Sequence, residues 1–335
     1  MLSHWFTPLD TGLISQAAQY CNTIHEDGKD FPVIAQSELA IIGFDPDFSN
    51  GIRQILYKFE NHFSSLRIAD LGNLKSNDVE FALPAIKELI DGGIIPICLG
   101  APAHIIQKLR HRLENNRPNT IYHVSNRLPE YHSDDKYEVL GFQRHLCAMD
   151  RIIELEEISH SSMSLAKLRA YPDIQEAVLR DADLVHFDGN AIKLADNPAS
   201  IESNTSGLTC AEACQAMKNI GGSHKLQLLN LTNYEIIDER RQYASNLTMA
   251  EMIWYFFEGY ANKLNDHPQN VHSYQRFVIN SLDTDVEMVF LKNDLTGRWW
   301  FVSDAKNIIY HACAYEEYLE ASNGGIPNRL LKYLA

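Results

Sequence analysis

No two cysteines of this chain form a CxxC pair, no apolar run is long enough to span a bilayer, and no long block carries charge of a single sign. Each absence removes a class of protein. Without paired knuckles, Cys21, Cys98, Cys147, Cys210, Cys214 and Cys313 are expected to be reduced, mostly buried thiols of a cytoplasmic protein. Cys210 and Cys214 lie one helical turn apart, a spacing that favours neither a zinc knuckle nor a disulfide. With Met217 they read as a core-facing helix stripe. The opening MLSHWFTPLD has neither the basic start nor the apolar core of a secretory signal, and the missing apolar run argues against a membrane role. Basic residues are outnumbered: 29 Lys and Arg against 44 Asp and Glu leave a formal net charge of −15, which repels phosphate backbones and argues against nucleic acid as a partner. There is no repeat, no low-complexity tract and no well-placed Cys–His or Ser–His–Asp pattern, so the usual nucleophilic hydrolases are not indicated.

What is present is a chain of 335 residues, 45% hydrophobic, able to bury a sizeable core. Short apolar runs alternate with amphipathic stretches. LAIIGF, LRIADLG, IIPICLG, TIYHVSN, YEVLGFQ, LVHFDGNAI and LQLLNLTNY read as strands. Helical spacing recurs over 51–63, 77–93, 102–116, 172–182, 209–222 and 244–264. This alternation predicts a parallel sheet covered on both faces over residues 1–265. From 266 to 335 the pattern changes to antiparallel strands plus a short helix, a β-rich extension. Trp299 and Trp300 in that extension read as an apolar face docking it onto the main domain, ahead of the alternative of a binding platform. In an open parallel sheet, ligands bind outside the carboxyl ends of the strands. Those ends are Gly43 to Asp45, Gly100 to His104, Ser125 to Pro129, Gly141 to Gln143, Asp188 to Asn190 and Asn230 to Asn233.

The motifs fall in a recognisable order. ELAIIGFDPDFSNGIRQIL, IADLGNL, GGIIPICLGAPAH, YEVLGFQR, LVHFDGNAIKLADNPA and SGLTCAEACQAMKNIG follow one another over about residues 36–265. Together they resemble the ureohydrolase family of arginases, agmatinases and formimidoylglutamases, and YEVLGFQR resembles the formimidoylglutamase branch in particular. The resemblance implies a three-layer α/β/α domain of the arginase-like type, a homo-oligomer, and two manganese ions bridged by a hydroxide that attacks a guanidino or amidino carbon. It also implies six ligands: a His from the first motif, Asp-x-His-x-Asp from the second, and two Asp from the third.

This chain departs from that pattern at most positions. Ala103 stands for the first His, with His104 one place late. The second motif aligns Ser125, Arg127 and Pro129 with Asp, His and Asp; a shift of one gives Val124, Asn126 and Leu128 instead. Arg127 would set a fixed cation against the metals. Asp188 matches the first Asp of the third motif, and Asn190 replaces the second. The leading expectation is therefore a non-catalytic binding or assembly protein with no cofactor. Glu212 matches the family's helix-start Glu, which pairs with a guanidinium or amidine, so Glu212 marks either a retained cation pocket or a carboxylate favoured by the helix dipole. The stretch YHSDDK is too short to rebuild the family's substrate wall. The alternative expectation is a manganese-dependent hydrolase of C–N bonds in linear amidines, with a rewired site of His104, His186, Asp188, Asn190 and Glu212. His186 and Asp188 share a strand face by two-residue alternation, and His123 is a further ligand candidate.

Overall fold

The computed structural model describes residues 2–113, 120–130, 136–159, 161–202, 204–232, 239–270, 273–280, 287–303 and 308–334. In chain order its strands are β1 Phe6–Thr7, β2 Thr23–Ile24, β3 Leu39–Gly43, β4 Ile68–Leu74, β5 Ile95–Leu99, β6 Ile121–Val124, β7 Tyr137–Phe142, β8 Met163–Ser164, β9 Leu184–Asp188, β10 Leu228–Thr232, β11 Tyr274–Asn280, β12 Glu287–Asn293, β13 Trp299–Ser303 and β14 Ile309–Cys313. The helices are α1 Thr11–Ala17, α2 Pro46–Leu56, α3 Val79–Asp91, α4 Ile105–Arg112, α5 Met149–Ile158, α6 Leu165–Ala170, α7 Pro172–Arg180, α8 Cys210–Gly221, α9 Glu239–Ala261, α10 Tyr315–Ser322 and α11 Asn328–Leu331.

Strands β1 to β10 form one sheet in the order β1-β4-β3-β5-β10-β9-β6-β7-β8, with β2 also beside β4. Its pairings are parallel except that of β1 with β4. Alternation along each strand sends side chains to two separate cores. Leu39, Ile41, Ile97, Leu99, Val185, Phe187, Leu229 and Leu231 pack with α2, α7, α8 and α9. Ala40, Ile42, Cys98, Ile121, Val139, Leu184 and Leu228 pack with α3, α4 and α5. The expected parallel α/β/α sandwich is therefore what forms, and its strands read as continuous apolar runs because both faces are covered.

Local chemistry explains where the sequence reading slipped. The second helix begins at Pro46, not at Gly51, because Asp45 accepts bonds from the Asp47 and Phe48 amides and Pro46 needs no partner at the first helical position. The long helix begins by Glu239, before the expected 244, and extends to Ala261. Helices α5 and α6 were not legible as separate elements. Asn233 and residues 131–135, which hold most of the short YHSDDK stretch, lie outside the described residues.

The extension is a four-stranded antiparallel sheet, β11-β12-β13-β14, with α10 and α11. Trp299 and Trp300 split across its two faces, as neighbours on a strand must. Trp299 packs inside the extension's own core with Phe290, Phe301 and Tyr318. Trp300 is buried and lies under the Arg180 guanidinium of α7, 4.6 Å from its ring centre. Arg180 also donates to the carbonyls of Trp299 and Cys313, both at 3.2 Å. Asp181 accepts the Ala312 amide at 2.8 Å, and Lys332 reaches Glu138 at 2.9 Å. One tryptophan docks the extension; the other builds it.

Candidate functional site

A polar row crosses the middle of the sheet on the α4 face. Cys98, Asn230, His186 and His123 are register partners on adjacent strands. Two residues further along, at the carboxyl ends, Ser125 and Asp188 stand on the same face. The turn that opens this edge is made by Gly100, whose φ of 86° suits glycine. There a cavity of about 430 Å³ is lined by Ala103, His104, Gln107, His123, Ser125, Arg127, Leu128, Pro129, Glu130, His186 and Asp188. The structure thus brings His104, Arg127, His186 and Asp188 together, with His123 beside them.

The two inner histidines are neutral. Both are nearly fully buried, with ring centres 5.2 Å apart. Burial pulls His186 down to about 4. Burial, with His186 alongside, holds His123 well below the usual imidazole range. His186 Nδ1 accepts a bond from Asn230 Nδ2 at 3.0 Å, and the same amide donates to Ala101 O at 3.0 Å. Above them, Asp188 Oδ1 accepts the Asn190 amide at 2.8 Å, and Oδ2 lies 3.5 Å from Ser125 Oγ. Asn190 is buried, and its side-chain oxygen accepts from Ser200 Oγ at 2.7 Å and from the Glu202 amide at 3.1 Å. It does not line the cavity. Arg127 Nε sits 2.9 Å from Glu202 Oε2, and Arg127 Nη1 donates to Leu146 O at 3.0 Å. Glu202, which sequence reasoning did not single out, also takes the Asn126 amide nitrogen at 2.9 Å. Nothing local marks it; only the fold brings it to Arg127.

Glu212 lies elsewhere. It opens α8, which packs on the opposite face of the sheet, and it does not line the cavity. Its carboxylate closes a capping box with Thr209 and takes a two-pronged ion pair from Arg169, at 2.7 and 3.0 Å. Hydrogen bonds from Arg169 foremost, helped by Thr209, pull its pKa down to about 2 against partial burial. Both readings of Glu212 thus meet one geometry: the carboxylate already holds a guanidinium, that of Arg169.

Among the described residues, one group of three or more His, Cys, Asp or Glu side chains brings its ligand atoms within 4.8 Å of one another, and it is Cys210, Cys214 and Glu251. His104, exposed at the start of α4, makes no capping bond and joins no such group.

No family model and no curated protein matches the sequence. Solved structures do. A manganese-bound formiminoglutamase from Trypanosoma cruzi is similar with a TM-score of 0.59 at 16% identity, covering 69% of this chain and 95% of that one. Formimidoylglutamase from Bacillus subtilis gives 0.56 at 14%, covering 71% and 89%. The agmatine ureohydrolase of Thermoplasma volcanium gives 0.53 at 14%, covering 68% and 91%. The chain has the arginase-like fold. That fold accounts for the sandwich and for the cleft at the strand ends, as the motif order implied, while the antiparallel sheet at the carboxyl end is additional. Among the described residues of this arginase-like chain, no helix is long and apolar enough to cross a membrane.

Proposed function

We propose that this protein uses the arginase-like cleft for binding and not for manganese-dependent hydrolysis, its ligand a small organic cation of the amidine or guanidinium class. The observation that supports this is the donor set at the cleft. Of the six positions that resemble manganese ligands, Asp188 alone carries a carboxylate, and that carboxylate is engaged by the Asn190 amide. Asn190 spends its carbonyl on Ser200 and Glu202, and Arg127 brings a permanent cation to the same rim. Two hard divalent ions need several anionic oxygens, so these residues do not fit the pair. A cation with N–H donors suits them better. The lining carries Asp188 and Glu130, its inner histidines are neutral, and the charge of Arg127 is met by Glu202.

Two measurements test the reading together. Protein incubated with excess manganese and dialysed is expected to retain none by elemental analysis. Acetamidinium or guanidinium is expected to raise the melting temperature of the native protein, and Asp188→Asn to remove that rise. Two retained manganese ions per chain would overturn the proposal and direct attention to amidine hydrolysis. An unchanged rise in Asp188→Asn would overturn the placement of the ligand.

A further inference from the structure

We propose that Cys210, Cys214 and Glu251 form a binding site for one thiophilic divalent ion, zinc in the first instance, on the face of the sheet opposite the cleft. The two thiols are one turn apart on α8, so their side chains stand on one side of the helix. Their Sγ atoms are 3.9 Å apart. With zinc–sulfur bonds of about 2.3 Å, two thiolates on a tetrahedral ion lie about 3.8 Å apart. The thiol pair therefore already spans a tetrahedral edge. Glu251 Oε2 from α9 is 3.1 Å from Cys210 Sγ, and all three ligand atoms lie within 4.8 Å of one another. A sulfur–oxygen edge at zinc is about 3.5 Å, so on the Cys210 side the carboxylate stands within a few tenths of an ångström of that edge.

The surroundings hold this triangle in place. Helices α8 and α9 run side by side in contact close enough that a Cβ on Gly259 would fall 2.0 Å from the Lys218 carbonyl, and one on Gly221 2.3 Å from that of Phe256. Asp196 accepts the Cys210 amide at 2.8 Å, and Thr248 Oγ1 of α9 donates to the Asp196 carbonyl at 2.6 Å. The beginning of α8 and the Glu251 turn of α9 are thus tied to one loop. Among the described residues the hydrogen-bond donor to Glu251's carboxylate is the Cys210 thiol. Cys214 is buried in the core, while Cys210 and Glu251 are half-buried. Two thiolates select a soft ion over manganese or magnesium. Binding replaces two thiol protons with the ion and releases them to solvent.

The test uses the full chain, stripped with chelator, checked for its fold by circular dichroism, and then given zinc or cobalt alone. One zinc per chain is expected, and cobalt is expected to show a thiolate-to-metal charge-transfer band. Cys210→Ser/Cys214→Ser is expected to lose both. Glu251→Gln, which leaves the core untouched, is expected to weaken zinc at least ~10-fold. Asp188→Asn, in the cleft, is expected to change neither, which separates this site from the cleft reading. Failure of the folded native chain to retain zinc, retention undiminished in the Glu251→Gln and double-serine variants, or a Cys210–Cys214 disulfide in protein purified without reductant would each overturn the proposal.

Discussion

Two polar places sit on the same sheet, and they are built differently. At β4, Arg53 and Asp70 are both fully buried and joined by two hydrogen bonds of 2.8 and 3.0 Å. Arg53 also donates to Asn73 and to the Gly72 carbonyl, and Tyr57 donates to Asp70. Burial works against the guanidinium, yet Asp70 more than restores it, so Arg53 is held above its usual range. At β9 and β6, by contrast, the buried row is neutral, and Asp188 stands half-buried at its edge. A charge persists deep in this fold where every partner is supplied, and the interior beneath the cleft carries imidazoles and an amide instead. The paired charge resists substitution, and the neutral row tolerates it.

The largest expected effect breaks the first place. Arg53→Met strands the buried Asp70 carboxylate and should cost about 3–5 kcal/mol in urea unfolding. A cost below about 1 kcal/mol would mean that Asp70 recruits water or a proton easily and that the two places are alike after all. Next comes the docking of the extension. Arg180→Met removes two carbonyl bonds and the stacking on Trp300, for about 2–3 kcal/mol, and should expose the extension to limited proteolysis before the sandwich. Simultaneous cleavage of both would show that the extension is not separately held.

Acid sharpens the comparison from the neutral side. Burial lowers His186 to about 4 and His311 to about 4, and holds His123 well below its usual value. His311 faces Asp181, which opposes the shift, and Lys225, Arg329 and Lys332, which add to it. Folded pKa values below the unfolded one mean that this stability is complete above pH about 6.5 and is lost as pH falls towards 4. His186 and His311 should each contribute about 1–2 kcal/mol of loss by pH 5, and His186→Gln should remove one proton's share of the slope. A flat profile between pH 7 and 5 would contradict neutral burial. The smallest effect belongs to Glu212. Its depressed pKa gives stability that is present above about 4.5 and is lost as pH falls towards 2. The pair with Arg169 is partly solvent-exposed and screened, so Arg169→Ala should cost under about 1 kcal/mol. A guanidinium site gained in Arg169→Ala, beyond the binding seen with the native protein, would show that Glu212 accepts a free guanidinium once Arg169 is gone.

How much was legible follows from how local each signal is. Apolar runs broken by amphipathic segments report burial on both faces of a parallel sheet, so the order of strands and helices and the position of the cleft could be read directly. Two-residue alternation put His186 and Asp188 on one face, and Glu212 was expected at a helix start, where it closes a capping box with Thr209. Those features belong to the sequence alone because neighbours along the chain complete them. The remainder depended on which helix lies against which. Glu251 reaches Cys210 across 41 residues, Arg169 claims Glu212 across 43, and Glu202 meets Arg127 across 75. Trp299 and Trp300, adjacent in sequence, ended on opposite faces of their sheet, one in the extension's core and the other under Arg180. Such pairings arise when parallel helices close on a shared sheet and side chains from distant segments compete for the same charge or space. No local pattern records the winner, and so the tertiary structure decided it.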